Sequence, residues 1–247
     1  MKNICFYDVD TQHDFMDEKG ALYVPGAEEI RPKLHALTRY ALDLPYDYTD
    51  PESGRRYRHT VPHYEIDLYP ILGSVDRHYE GDAELKIFPK HCMDGTEGQK
   101  KIPETSIVAQ TWCGNAVTPP CMEDAYIENR AHLPQELKNA MSHSAVYFEK
   151  QEVSVFSNAN ANLLTRFDAA VVYGVATEYC VKAAVLGMRQ RGIDVLVVED
   201  AIKGITPDGE KAAVEEMKNA GAKFIKTKDV LEGKVEEMLR EMWGEQI

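Results

Sequence analysis

One stretch, AAVVYGVATEYCVKAAVLGMRQRGIDVLVVEDA at residues 169–201, limits the fold more than any other feature of the chain. It opens with an apolar, β-branched run and continues with Val181, Ala184, Val185 and Met188 at helical spacing. It then stops at Gly192 and ends in a second apolar run. Such a strand, helix and strand form a βαβ crossover, which joins two parallel strands of one sheet.

The alternation extends along the chain. Residues Ile4 to Val9 predict a first strand ending in acids, and Ile30, Leu34, Leu37 and Ala41 predict a helix with Pro32 in its first turn. Further strands are expected at 71–75, 106–110 and 145–148. Thr206 and Pro207 read as the cap and first position of an acidic helix ending near Gly221, followed by a short strand at 223–226 and a last helix. This order implies an α/β fold with three α/β/α layers around a mostly parallel sheet, and a site in the crevice at the strand C-terminal ends. Residues 43–65, rich in Pro, Tyr and charge, show neither period and read as a surface excursion of the kind that often forms lids. The 247 residues are read as one domain, 1–247, carrying that excursion.

Composition excludes several function classes. With 44% hydrophobic and 28% charged residues the chain is an ordinary globule, and a formal net charge of −13 argues against a phosphate-binding surface for nucleic acid. The opening MKNICFYDVD is interrupted by Asp8 and Asp10 before it reaches signal-peptide length. No run approaches the roughly 20 apolar residues that span a bilayer, so no membrane partner and a cytoplasmic location are expected. Cys5, Cys92, Cys113, Cys121 and Cys180 are odd in number and scattered, which suggests reduced thiols rather than a disulfide framework.

In a parallel sheet, Asp10, Lys150 and the segment leading to Cys180 each follow a strand and can meet on one edge. Cys180 lies early in the crossover helix, where free backbone N–H groups and the helix dipole favour a thiolate, so its pKa is expected to be lowered. A nearby Lys would lower it further, and a carboxylate could take the thiol proton and return it to a leaving amine. Alone, a Cys early in a helix is usually a small buried hydrophobe, Asp10 a loop or capping residue, and Lys150 a solvated strand end.

The string DVDTQHDF at Asp8 to Phe15, followed by GALYVPGAEE, resembles the opening of nicotinamidases and related isochorismatase-like cysteine hydrolases. FEKQEVSVFSN resembles their lysine segment and GVATEYCVKAAVLGMRQRG their nucleophile segment, usually seen as GVATDYCV. The resemblance implies that Asp10, Lys150 and Cys180 are catalytic, that the backbone N–H groups of Ala176 and Cys180 form an oxyanion hole, and that the Val175 to Ala176 peptide is cis. It covers residue 4 to about 205 and departs chiefly at 43–65.

Between the second and third strands, SVDRHYEGDAELKIFPKHCMDGTEGQKKIPET holds Asp76, His78, Glu84 and His91. D-x-H puts two side chains on one side of an extended segment, and mixed carboxylate and imidazole donors suit Zn, Mn or Fe better than Ca or Mg. A polar loop with two His is nevertheless more often unliganded. Nicotinamidases bind a divalent ion through such an Asp-x-His pair, a further His or Glu, and the His of a PxHC segment, here FPKHC. The resemblance thus implies Asp76, His78 and His91 as ligands with Glu84 or Asp82 as the fourth, the Glu variant of the pattern favouring Glu84, and Zn first among the metals. It further implies a ring-nitrogen amide such as nicotinamide as substrate, within pyridine nucleotide salvage, and a homo-oligomer. Phe15 and Phe88 would form aromatic walls and Tyr179 a further substrate contact; most nicotinamidases have Trp where Phe88 stands. The alternatives are a related amidohydrolase acting on another amide, carbamoyl or ureido compound, a silent binding protein, and a metal-free isochorismate-type hydrolase.

Overall fold

The computed structural model describes residues 2–60, 69–107, 109–113 and 144–244, with 109–113 and 144 described by their backbone alone. The remainder of the 43–65 excursion, residues 61–65, and Cys121 lie outside the described residues, as does the side chain of Cys113.

Strands β1 (Ile4–Val9), β4 (Ile71–Asp76), β5 (Ala109–Cys113), β6 (Ser144–Lys150), β7 (Ala169–Val175), β8 (Asp194–Lys203) and β9 (Lys223–Ile225) form one sheet in the order β5-β6-β4-β1-β7-β8-β9. All the neighbouring pairs run parallel. β1 shows how the sheet is built. Phe6 packs into one core with Leu34 and Leu37 of helix α2 (Arg31–Ala41), which follows the short α1 (His13–Met16), whereas Cys5, Tyr7 and Val9 pack into the other with Val185 and Met188 of α3 (Lys182–Gln190). Period-two alternation therefore feeds two apolar layers, and helices cover both faces. Helix α4 (Pro207–Asn219) joins the second core through Met217, and α5 (Thr227–Leu231) and α6 (Val235–Met242) join the first through Val230, Val235 and Leu239. This is the expected three-layer α/β/α arrangement. None of the helices among the described residues is long and apolar enough to cross a membrane.

Gly174, at φ 121°, marks the tightest approach in the sheet: a Cβ there would lie 2.1 Å from the carbonyl oxygen of Val9. Only glycine lets β7 come this close to the end of β1, immediately before Asp10.

Three expectations need correction. The third strand begins at Ala109 rather than at 106, because Thr105 and Ser106 both donate backbone bonds to Ile102 in a turn that delays it. The last helical stretch is two helices, broken where Gly233 adopts φ 76°. The excursion is not a lid in its described part. Strands β2 (Tyr46–Thr49) and β3 (Arg56–His59) form an antiparallel hairpin whose Tyr48 and Tyr57 rings stack 6.3 Å apart and pack with Ala36 of α2. Tyr57 and Arg55 reach Glu232, and Lys226 reaches Glu52, so the hairpin is fastened to the outer helical layer.

Candidate active site and metal cluster

Four adjacent strands, β6, β4, β1 and β7, deliver the candidate residues at their C-terminal ends. Lys150 and Asp76 are the last residues of β6 and β4 and are register partners. Asp10 follows β1 with its backbone in the left-handed region, φ 46°, which is uncommon for a residue other than glycine. After β7 comes the cis Val175–Ala176 peptide and then one π-helical turn, Thr177–Val181, that carries Cys180 into α3.

The structure brings Asp10, Lys150 and Cys180 together. The Lys150 ammonium lies 3.0 Å from Asp10 Oδ2 and 3.4 Å from Cys180 Sγ, and it donates to Asp76 Oδ1. Lys150, Asp10 and Asp76 are buried almost completely, and Cys180 is 8% exposed. Burial alone would lower the Lys150 pKa, but Asp10, Asp76 and Cys180 around it hold the ammonium well above its ordinary value. Burial pushes Asp76 up, yet Lys150, His78 and His91 bring it well below the usual carboxylate range. For Asp10 burial prevails over Lys150, and its pKa is raised.

The expected lowering of the Cys180 pKa is reversed. Desolvation raises the thiol well above its ordinary value; Lys150 opposes this, while the Asp10 and Asp76 charges reinforce it. A resting thiol must lose its proton as it attacks, and burial makes Asp10 a stronger proton acceptor than an ordinary carboxylate.

Asp76 is shared between this group and a second one. Asp76, His78, Glu84 and His91 each bring one ligand atom to a cluster within which all the atoms lie no more than 4.8 Å apart. Asp76 Oδ2, His78 Nε2, Glu84 Oε2 and His91 Nε2 are buried without a hydrogen-bond partner. Orphaned polar atoms are costly when buried, and one divalent cation would satisfy these four at once. The far ring nitrogens are occupied: His91 Nδ1 lies 2.7 Å from the Pro89 carbonyl and His78 Nδ1 lies 3.2 Å from Asp82 Oδ2. Bonds of that kind place the proton on Nδ1 and turn the Nε2 lone pair inward. Asp82 thus braces His78 and also accepts from the Tyr79 N–H at 2.8 Å, whereas Glu84, on a 3-10 turn at Glu84–Lys86, is the carboxylate that reaches the cluster with Asp76 and the two histidines.

A cleft of about 340 Å³ opens over both groups. Phe15, Leu22, Val24, Phe88, Val153, Tyr179 and Ile205 wall it, and Asp76, Glu84, His91, Ala176 and Cys180 line its polar end. Phe88 and Tyr179 meet edge to face with ring centroids 5.4 Å apart, and Phe15 lies 5.4 Å from the His91 ring. Among the described residues, no Lys or Arg lines the cleft and no residue of the hairpin reaches it.

Two residues of the site were missed in the sequence. Gln12 donates to the Asp76 and Gln99 carbonyls at 2.7 and 2.6 Å and accepts from the Asp76 N–H at 2.6 Å, clamping the backbone of a candidate ligand. Asp14 accepts from the Cys92 N–H at 2.7 Å, just after His91. Both stand in the DTQHDF string, but their partners are far along the chain.

Comparison with known proteins gives the class. Residues 129–229 match the Isochorismatase domain family. The nicotinamidase/pyrazinamidase of Mycobacterium tuberculosis is 25% identical over 222 residues, covering 88% of this chain and 95% of that protein. Among solved structures, a nicotinamidase from Bacillus subtilis superposes with TM-score 0.61 at 20% identity, over 92% of this chain and 100% of that one. A pyrazinamidase of Pyrococcus horikoshii in complex with zinc superposes with TM-score 0.59 at 24% identity, over 91% and 99% of the two chains. The chain is thus similar to hydrolases of the isochorismatase-like superfamily. Within that superfamily the curated relatives it resembles are nicotinamidases.

Proposed function

We propose that this protein hydrolyses nicotinamide to nicotinate and ammonia through a thioester on Cys180, with a divalent metal, zinc first, held by Asp76, His78, Glu84 and His91. The observation that carries this is the division of the cleft. Its walls are apolar and aromatic, its one polar end joins Cys180 to a four-residue ligand cluster, and no cationic side chain lines it among the described residues. Among the described residues, those walls offer no Lys or Arg to the carboxylate of an anionic substrate such as isochorismate or a carbamoyl amino acid. The zinc of the Pyrococcus horikoshii protein supports the choice of metal.

When bound, the metal supplies a Lewis-acidic point for the ring nitrogen, which orients the carboxamide. Asp10 accepts the Cys180 thiol proton, and Sγ attacks the amide carbonyl carbon. Lys150 holds the pair of charges in place, and the backbone N–H groups of Ala176 and Cys180 stabilise the oxyanion. Asp10 returns the proton to the amide nitrogen, the C–N bond breaks, and ammonia leaves. Water then gives a proton to Asp10 as its oxygen attacks the thioester carbon; the C–S bond breaks, the Cys180 thiolate takes that proton back from Asp10, and the nicotinic acid released gives up its own proton to solvent as nicotinate.

A substrate panel tests the assignment. Nicotinamide and pyrazinamide should be turned over, with benzamide, which lacks a ring nitrogen, slower by about a hundredfold or more. Hydrolysis of an N-carbamoyl amino acid with nicotinamide untouched would move the protein to the carbamoyl alternative.

A further inference from the structure

Asp8 is a buried acid that the amide chemistry leaves unused. Its side chain and that of Lys101 are both fully buried, with Lys101 Nζ 2.8 Å from Asp8 Oδ2. Thr11 Oγ1 donates to Asp8 Oδ1 at 2.8 Å and accepts from Lys101 Nζ at 2.7 Å. Its single proton is committed to Asp8, so Thr105 Oγ1, 2.6 Å away, is the donor in their contact. The Tyr147 ring lies 4.2 Å from the Lys101 ammonium, and its hydroxyl reaches the Thr105 carbonyl at 3.3 Å.

A buried ion pair is a poor way to gain stability, since apolar residues of similar volume do as well or better. It does fix geometry. Here it joins residues 8–11 to residues 101–105, two segments that also meet through Ile102 N–H on the Thr11 carbonyl at 3.0 Å. Asp10 lies inside the pinned segment with its backbone in the left-handed region, its N–H on the Ser74 carbonyl at 3.1 Å and its carbonyl taken by Gln12 N–H at 2.7 Å. Any relaxation at Asp8 or Thr11 is transmitted directly to the Asp10 backbone.

We propose that the network of Asp8, Lys101, Thr11 and Thr105 is a positioning device that keeps the Asp10 carboxylate in register with Cys180, and is not a source of stability. It rests on the amidase reading only in taking Asp10 as the proton acceptor of Cys180.

The test uses the zinc-loaded full chain and three variants: Thr11→Val, Thr11→Ser, and the double variant Asp8→Val with Lys101→Met. Ammonia release from nicotinamide gives kcat and KM. Melting temperature and zinc content are recorded, and alkylation of Cys180 by iodoacetamide is followed by peptide mass. Thr11→Val should lower kcat about tenfold or more with KM within about twofold, while Thr11→Ser, which keeps the hydroxyl, stays within about threefold of the parent. The double variant should melt no lower than the parent and still lose kcat. Parental kcat in the double variant, or losses that merely follow zinc or melting temperature in both Thr11→Val and the double variant, overturns the proposal. If the parent shows no turnover of nicotinamide, the substrate assignment fails and alkylation decides. Slowing of about tenfold in Thr11→Val supports the network, and an unchanged rate overturns it.

Discussion

Asp76 and Lys150 are register partners at the ends of neighbouring parallel strands, and their side chains close an ion pair across that register. The pair sets the protonation pattern of the site. A single ammonium faces two carboxylates, with Asp76 the one held strongly ionised and Asp10 left with a raised pKa. Lys150→Met strands two buried carboxylates beside each other. Breaking a buried pair in this way costs roughly 3–5 kcal/mol of stability. Calorimetry should show that loss together with the disappearance of turnover, and a variant as stable and active as the parent would contradict the arrangement.

The pH profile follows from Asp10. A protonated Asp10 cannot accept the thiol proton, so activity falls as pH drops through its pKa. Burial raises that pKa, so the fall begins at a higher pH than for an ordinary carboxylate. The acid limb of kcat/KM should therefore have its midpoint above about 4. A profile still flat below that value would remove Asp10 as the base.

Gln12 offers a test of how Asp76 is held. Its amide makes three short bonds, two of them to the Asp76 backbone, and touches no ligand atom. Gln12→Ala should weaken metal binding about 10- to 100-fold, the range seen when residues that orient ligands are removed. Titration calorimetry with zinc measures this, and unchanged affinity would mean that β4 alone orients Asp76.

Much of this was legible in the sequence because it depends on short-range pattern. The apolar runs around residues 169–201 specify parallel strands wherever the rest of the chain goes, and strand ends carry Asp10 and Lys150 to the same edge. What escaped depends on distant partners or on burial. Gln12 acts on a backbone 64 residues away. Asp82 and Glu84 are equivalent as text, and only the turn at Glu84–Lys86 separates the brace from the cluster. The hairpin does carry a period-two signal in Tyr46 and Tyr48 and in Tyr57 and His59, but its strands are four residues each, too short to stand out among Pro and charge. The direction of the Cys180 shift is not visible in the sequence, because the dipole of a helix start is local, whereas desolvation by the closed site is not.

The most direct measurement is ammonia release from nicotinamide by the purified protein as isolated, after chelation, after zinc is restored, and with Cys180→Ala as the blank. Turnover that is lost on chelation, regained with zinc, and in Cys180→Ala falls below about a thousandth of the parent is the predicted result. Turnover that survives in Cys180→Ala, or none in the zinc-loaded parent, would contradict a cysteine nicotinamidase.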